Sequence, residues 1–203
     1  MTRGALVRRV ARRAVLLLPL LLSLAACGRI NEIPQLDEAT KAAWSQVLNQ
    51  YQRRADLVPN LVETVRGYAR QEQDTLKAVV DARAKATQMQ LPPDLLSNPE
   101  AFQRFQDNQA ALTSSLSRLL AVSENYPDLK SNQNFLALQS QLEGTENRIA
   151  IARRDYIQVV QSYNTVLRTI PGRWIAAFFY PDAKVKETFT ISEAAQEAPK
   201  VKF

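Results

Sequence analysis

From Phe135 to Ile170 the apolar and small residues fall at Phe135, Leu138, Leu142, Thr145, Ile149, Ala152, Tyr156, Val159, Tyr163, Val166 and Ile170. The steps alternate three and four without a break, which keeps them on one face of an α-helix. Such a heptad-like seam predicts one long helix that buries a narrow, coiled-coil-like stripe. Each large residue on it contributes roughly 1.5–3 kcal/mol if fully buried. Upstream, Phe102, Phe105, Gln109, Leu112, Leu116, Leu119 and Ser123 follow the same rule. Ser97-Asn98-Pro99-Glu100 marks the start of that helix with a capping side chain, a first-turn proline and an early carboxylate. Asn125-Tyr126-Pro127 marks its end, and Ser131 and Asn132 are placed to cap the long helix, expected to begin near Asn134.

Two further helical stretches precede Pro92-Pro93. One carries Leu36, Trp44, Val47, Leu48, Tyr51, Ala55 and Val58; the other carries Leu61, Val65, Tyr68, Ala69, Leu76, Val79, Val80 and Ala86. Pro59 lies between them, and a proline is tolerated in a helix's first turn but kinks its interior. The pattern therefore predicts two helices with a tight corner at Pro59 in preference to one bent helix. No segment sustains period-two alternation at strand length. The expected fold is all-α, four amphipathic helices packed as a bundle with knobs-into-holes contacts.

Past the bundle, Pro171-Gly172 stops the long helix. Trp174-Ile175-Ala176-Ala177-Phe178-Phe179-Tyr180 follows, dense in aromatics. It is expected to form a short helix over the bundle end. The alternative is an exposed patch, Trp174–Tyr180, that touches lipid headgroups or a partner, because aromatics with polar tips suit interfaces. Thr188 to Phe203 is expected to be irregular.

The N-terminus follows a different logic. Arg3, Arg8, Arg9, Arg12 and Arg13 precede an apolar run from Ala14 to Leu24, and Leu24-Ala25-Ala26-Cys27 closes it. That is a basic n-region, a short h-region and small residues before a cut site. The run is far short of the ~20 apolar residues a bilayer-spanning helix needs. The pattern resembles the lipobox of bacterial lipoproteins, in which the cysteine is acylated and becomes the first mature residue. The expected organisation is a leader over 1–26, a tether over 27–35, the bundle over 36–170 and a tail over 171–203 that packs on it.

Charge and composition narrow the function. Of 26 Lys and Arg, five lie in the leader, and none of the 20 Asp and Glu does, so 21 basic against 20 acidic side chains leave the mature chain at +1. No basic stripe survives processing, so no nucleic-acid partner is expected. There is no histidine and no cysteine beyond Cys27. That excludes histidine-activated nucleophiles, Cys/His zinc sites and disulfides. The bundle's usual two-metal site needs Glu-x-x-His pairs, so neither that metal site nor a cofactor is expected. Glu143 and Glu146 share a helical face, and the expectation for them is a solvated or interhelical ion pair. Glu72 and Arg83 fall close to the apolar stripe of their helix, and are expected to fix its register as a buried ion pair.

Several blocks are similar to those of the LemA family. They are Trp44-Ser45-Gln46, the run from Arg53-Arg54-Ala55-Asp56 through Leu57-Val58-Pro59-Asn60 to Val65, Gly67-Tyr68-Ala69, Ala82-Arg83-Ala84, Tyr126-Pro127-Asp128-Leu129-Lys130 and Thr145-Glu146-Asn147-Arg148. The ending Ala198-Pro199-Lys200-Val201 completes them. The resemblance implies an antiparallel four-helix bundle held at a bacterial membrane by its N-terminus, with no established catalytic activity. Family members usually carry an N-terminal membrane helix, which the lipobox replaces here, and many carry a histidine where this chain has Gln71. The resulting expectation is a non-enzymatic binding or scaffold lipoprotein, acylated with palmitate at Cys27 and anchored on the extracytoplasmic side. Its partners are the membrane and an unidentified envelope protein, with no small-molecule substrate. Gly28 after the cysteine points by analogy to the periplasmic face of an outer membrane. Two alternatives stand beside it: a lipid-binding or membrane-remodelling helper working through Trp174–Tyr180, and an enzyme with a carboxylate site in the bundle.

Overall fold

The computed structural model of the protein describes residues 29–190. Cys27, the leader and the chain beyond Thr190 lie outside the described residues. Within them the fold is all-helical, with no strand. Six α-helices follow in order: α1 (Glu32–Tyr68), α2 (Gln73–Gln88), α3 (Pro99–Ser123), the single turn α4 (Pro127–Lys130), α5 (Gln133–Arg168) and α6 (Gly172–Phe179). A 3-10 turn, Leu95–Ser97, leads into α3.

The apolar patterns fold largely as their spacing dictates. All seven expected stripe residues of α3 are buried. Asn98 caps it, its side chain accepting the Ala101 N–H at 3.1 Å, with Pro99 in the first turn. Asn132 does the same for α5, accepting from the Phe135 N–H at 3.0 Å. Each cap satisfies an amide that the first turn leaves without an intrahelical acceptor. In α5 the buried stripe runs Phe135, Leu142, Thr145, Ile149, Ala152 and Tyr156, then shifts to Val160 and Tyr163. The expected Val159 is only half-buried and Ile170 lies exposed beyond the helix end. An α-helix turns every 3.6 residues, so a strict 3.5-residue step drifts around its surface unless the helices supercoil to follow it.

Three expectations need correction. Pro59 does not divide two helices; it sits exposed inside α1, which runs on for nine residues. A proline at position 59 removes the N–H that would bond the carbonyl of residue 55. In this fold that carbonyl accepts from Arg83 Nε of α2 at 2.8 Å. The orphaned acceptor is thus satisfied from the neighbouring helix, and the chain turns ten residues later, at Ala69–Glu72. Tyr68, at the end of α1, is exposed, as is Val80 on α2. Second, α1 begins at Glu32, so residues 32–35 of the expected tether form its first turn. Pro34 sits there at a position whose N–H has no intrahelical partner to lose. Third, Glu72 and Arg83 form no pair: Glu72 flanks the start of α2 and accepts from Tyr126 OH at 2.9 Å.

α5 lies along α1, and α2 packs on both α1 and α3. Two apolar clusters fill the interior. One is aliphatic, built around Val58, Leu61, Val65, Val79, Leu112, Leu119 and Leu142. The other is aromatic, built around Trp44, Tyr51, Phe102, Phe105, Tyr156 and Phe189. The Trp44 ring lies 5.1 Å from Phe105 edge-on and 5.3 Å from Tyr156, within the range where aromatic pairs add to area burial.

Candidate functional site

Between the two clusters lies a polar layer centred on Arg54. It shares the buried face of α1 with Tyr51, Ala55 and Val58, so helical spacing carries its side chain inward with them. The residue is 1% exposed. Its Nη1 donates to Thr113 Oγ1 at 2.7 Å and to Glu146 Oε1 at 2.9 Å. Its Nη2 donates to Gln109 Oε1 at 2.7 Å and to the Gln109 carbonyl at 3.2 Å. One guanidinium therefore joins α1 to α3 and α5. Its Nε–H is buried with no hydrogen-bond partner among the described residues. Glu146 stands at the rim, its side chain 38% exposed.

The layer opens on one side into a cleft of about 830 Å³ between α3 and α5, lined by Tyr51, Gln103, Gln106, Thr113, Glu146 and Arg153 among others. Phe189 forms one wall, with the Arg153 guanidinium 4.4 Å from its ring centroid, a cation–π contact. Burial pushes the Tyr51 phenol up, against the positive charges of Arg153 and Arg54, which pull it down. The phenol is thus held neutral and is no base at ordinary pH.

An extended segment, residues 181–190, brings Phe189 into place. Asn164 of α5 holds it by a reciprocal pair, donating to the Lys186 carbonyl at 2.9 Å and accepting the Lys186 N–H at 2.8 Å. Tyr156 OH donates to the Glu187 carbonyl at 2.9 Å, and the Glu187 N–H donates to the Leu96 carbonyl at 2.7 Å. Lys186 Nζ pairs with Asp37 of α1 at 3.0 Å. This stretch has no regular secondary structure, as expected for Thr188–Thr190, yet it is tied to the helices at Lys186, Glu187 and Thr190. Nothing in its sequence pattern signals that: Phe189 has no periodic partner, and its burial comes from Asn164 and Tyr156 fixing the backbone beside it.

The residues singled out by sequence separate in space. Glu146 enters an interhelical ion pair, as expected, while Glu143 is exposed and accepts from Gln139 on its own helix at 3.1 Å. Among the described residues no three acidic side chains converge, and the inward-facing Glu146 is committed to Arg54. The Trp174–Tyr180 stretch forms α6, with Trp174, Phe178 and Phe179 exposed. Cys27 lies outside the described residues. Arg54 is the site residue that pattern reading passed over. The available signal was a charge at the step between Tyr51 and Val58, in the middle of an apolar stripe.

Comparison with known proteins gives one family and several relatives. The model of the LemA family matches residues 43–203. Magnetosome protein MamQ 2 and magnetosome protein MamQ 1 of Paramagnetospirillum magneticum are each 26% identical over 164 residues, covering 73% of this chain and 60% of theirs. Protein LemA of Metamycoplasma hominis is 24% identical over 142 residues, covering 70% of this chain and 61% of its own. The chain thus spans about three fifths of the length of the curated relatives it matches.

Proposed function

The chain belongs to the LemA family, and from that premise we propose that it is a lipid-anchored envelope protein, acylated at Cys27, that works by binding or scaffolding rather than by catalysis. The observation that carries the reading is the basic leader and apolar run ending in Leu24-Ala25-Ala26-Cys27, in a chain with no other cysteine. Among the described residues no helix is long and apolar enough to cross a membrane. Each buried methylene of an acyl chain contributes about 0.8 kcal/mol, and two or more chains hold a protein stably at a bilayer. The extracytoplasmic side follows from export by such a leader, and Gly28 favours the outer membrane where one exists.

The architecture we infer is an antiparallel four-helix bundle of α1, α2, α3 and α5. Three cross-helix pairs support it. Trp44 meets Tyr156, Arg54 meets Glu146, and Tyr68 OH accepts from Asn132 Nδ2 at 2.9 Å. As position advances along α1 it recedes by the same amount along α5, which is the register of antiparallel neighbours.

Metabolic labelling with palmitate tests the anchor. The parent protein takes the label and sediments with membranes; Cys27→Ser takes none. Label retained by Cys27→Ser, or an unmodified Cys27 thiol in cytosolic protein, overturns the reading.

A further inference from the structure

We propose that α6 is a second membrane contact: its exposed side chains Trp174, Phe178 and Phe179, with the preceding Ile170, sit in the headgroup layer of the bilayer to which Cys27 is anchored. The proposal rests on the acylation reading above. Its own observations are geometric. Trp174 and Phe178 are one turn apart on one face, and with Ile170 and Phe179 they are 58%, 84%, 64% and 60% exposed. α6 packs on the end of α5, with Gly172 buried against Val166 and Ile175 and Ala176 half-buried, and its three aromatic side chains from Trp174 to Phe179 stay exposed in that position.

The location of α6 names the occupant. α6 starts four residues after α5 ends. The end of α5 lies beside the start of α1, since Lys186, held by Asn164, pairs with Asp37 and lies 5.5 Å from the Tyr163 ring. Arg29 is two residues from Cys27, and two extended residues span at most about 7 Å. An acylated Cys27 thus presses this end of the bundle against the bilayer, and α6 is at this end. Arg168 and Arg173 are exposed beside the aromatics, and no acidic residue occurs from Thr169 to Pro181. Aromatic rings with flanking cations are the composition of a helix that lies in an anionic interface. Four side chains make a small contact, and a small contact suffices where an anchor already raises the local concentration of bilayer.

The test uses the acylated mature protein reconstituted in phosphatidylglycerol/phosphatidylcholine vesicles whose lipids carry bromine near the top of the acyl chains. The chain has two tryptophans. Trp44 is buried in the aromatic cluster, beyond contact quenching, so Trp174 reports. We expect Trp174 emission to shift to the blue and to be quenched, and Phe178→Ser with Phe179→Ser to reverse both while helix content stays unchanged. The mature chain carrying Cys27→Ser binds the same vesicles weakly and reversibly, and the two Phe→Ser changes weaken that binding about tenfold or more. Acylated protein with Trp174 unquenched overturns this proposal and leaves the anchor standing. Protein that takes no palmitate label but whose Trp174 is nonetheless quenched overturns the anchor, and with it α6 as a second contact, and makes α6 the primary one. Blue-shifted Trp174 without vesicles, in a particle of twice the monomer mass, assigns the face to a second copy and also overturns it.

Discussion

Pro59 and Arg83 should be energetically coupled, although they stand on different helices. The carbonyl of Ala55 is buried, has no i+4 donor because residue 59 is proline, and accepts from Arg83 Nε at 2.8 Å. Arg83→Met keeps much of the aliphatic stem and removes the donor. A hydrogen bond from a charged group contributes about 1.5–3 kcal/mol, and a buried carbonyl left without a donor costs about 1–3 kcal/mol. These describe the same loss, so Arg83→Met should cost about 2 kcal/mol in the parent. In a Pro59→Ala background the new amide of residue 59 bonds the Ala55 carbonyl through the helix, and Arg83→Met should then cost about 0.5 kcal/mol or less. The coupling is about 1.5 kcal/mol, well above the scatter for independent sites. Urea unfolding followed by far-UV circular dichroism across the four proteins measures it, with an unchanged slope confirming that the unfolded state is not the cause. Additive effects, or a harmless Arg83→Met in the parent, would refute the account of why this helix survives its proline.

The polar layer makes an asymmetric prediction: Glu146→Ala leaves a fully buried guanidinium without a counter-ion and should cost about 3–5 kcal/mol, whereas Arg54→Met leaves a rim carboxylate that rehydrates and costs less. The double variant should resemble Arg54→Met alone; thermal unfolding decides, and equal or reversed single costs would be inconsistent with the geometry. Gly172→Ala places a Cβ against the Val166 carbonyl oxygen and 2.8 Å from Val166 Cγ1; it should detach α6 and raise Trp174 accessibility to acrylamide while the melting of the remaining helices changes little. At Asp37, burial raises the carboxyl's pKa, but Lys41 and Lys186 outweigh it and hold it below the usual value. A depressed folded pKa gives stability that is present above about pH 4 and lost as pH falls through the folded value. Asp37→Asn should therefore lower the melting temperature at pH 7, with a difference that shrinks as pH falls below about 4; a constant difference down to the lowest pH at which the protein folds would contradict the pairing.

Much of the fold was readable because burial follows spacing. The α3 stripe from Phe102 to Ser123 needed only the helical repeat and the Asn98 cap. Pro59 was misread for a physical reason: a proline's cost depends on what takes the freed carbonyl, and here the donor to Ala55 is Arg83, 28 residues away on another helix. The true turn at Ala69–Glu72 has no proline and only Gly67 nearby, so nothing local outweighed the proline signal. Arg54 was hidden because a charge within an apolar stripe reads as noise until Gln109, Thr113 and Glu146 are seen to converge on it. Phe189 was hidden because its burial is imposed by hydrogen bonds to the segment's backbone, which no side-chain period encodes.

The polar layer also limits how the helices can slide. Moving α1 by one turn relative to α5 displaces Arg54 by about 5.4 Å, far outside hydrogen-bond range of Glu146. The guanidinium would then face either Phe105 and Ile149 or Leu112 and Leu142, unpaired against apolar side chains, and a buried charge without partners is strongly destabilising. An all-apolar seam of similar residues would tolerate such a slip far better. Holding that register keeps the start of α1 level with the end of α5, and so keeps Arg29 and α6 at the same end of the molecule. Under the anchoring proposed at Cys27, that alignment decides which surface faces the lipid.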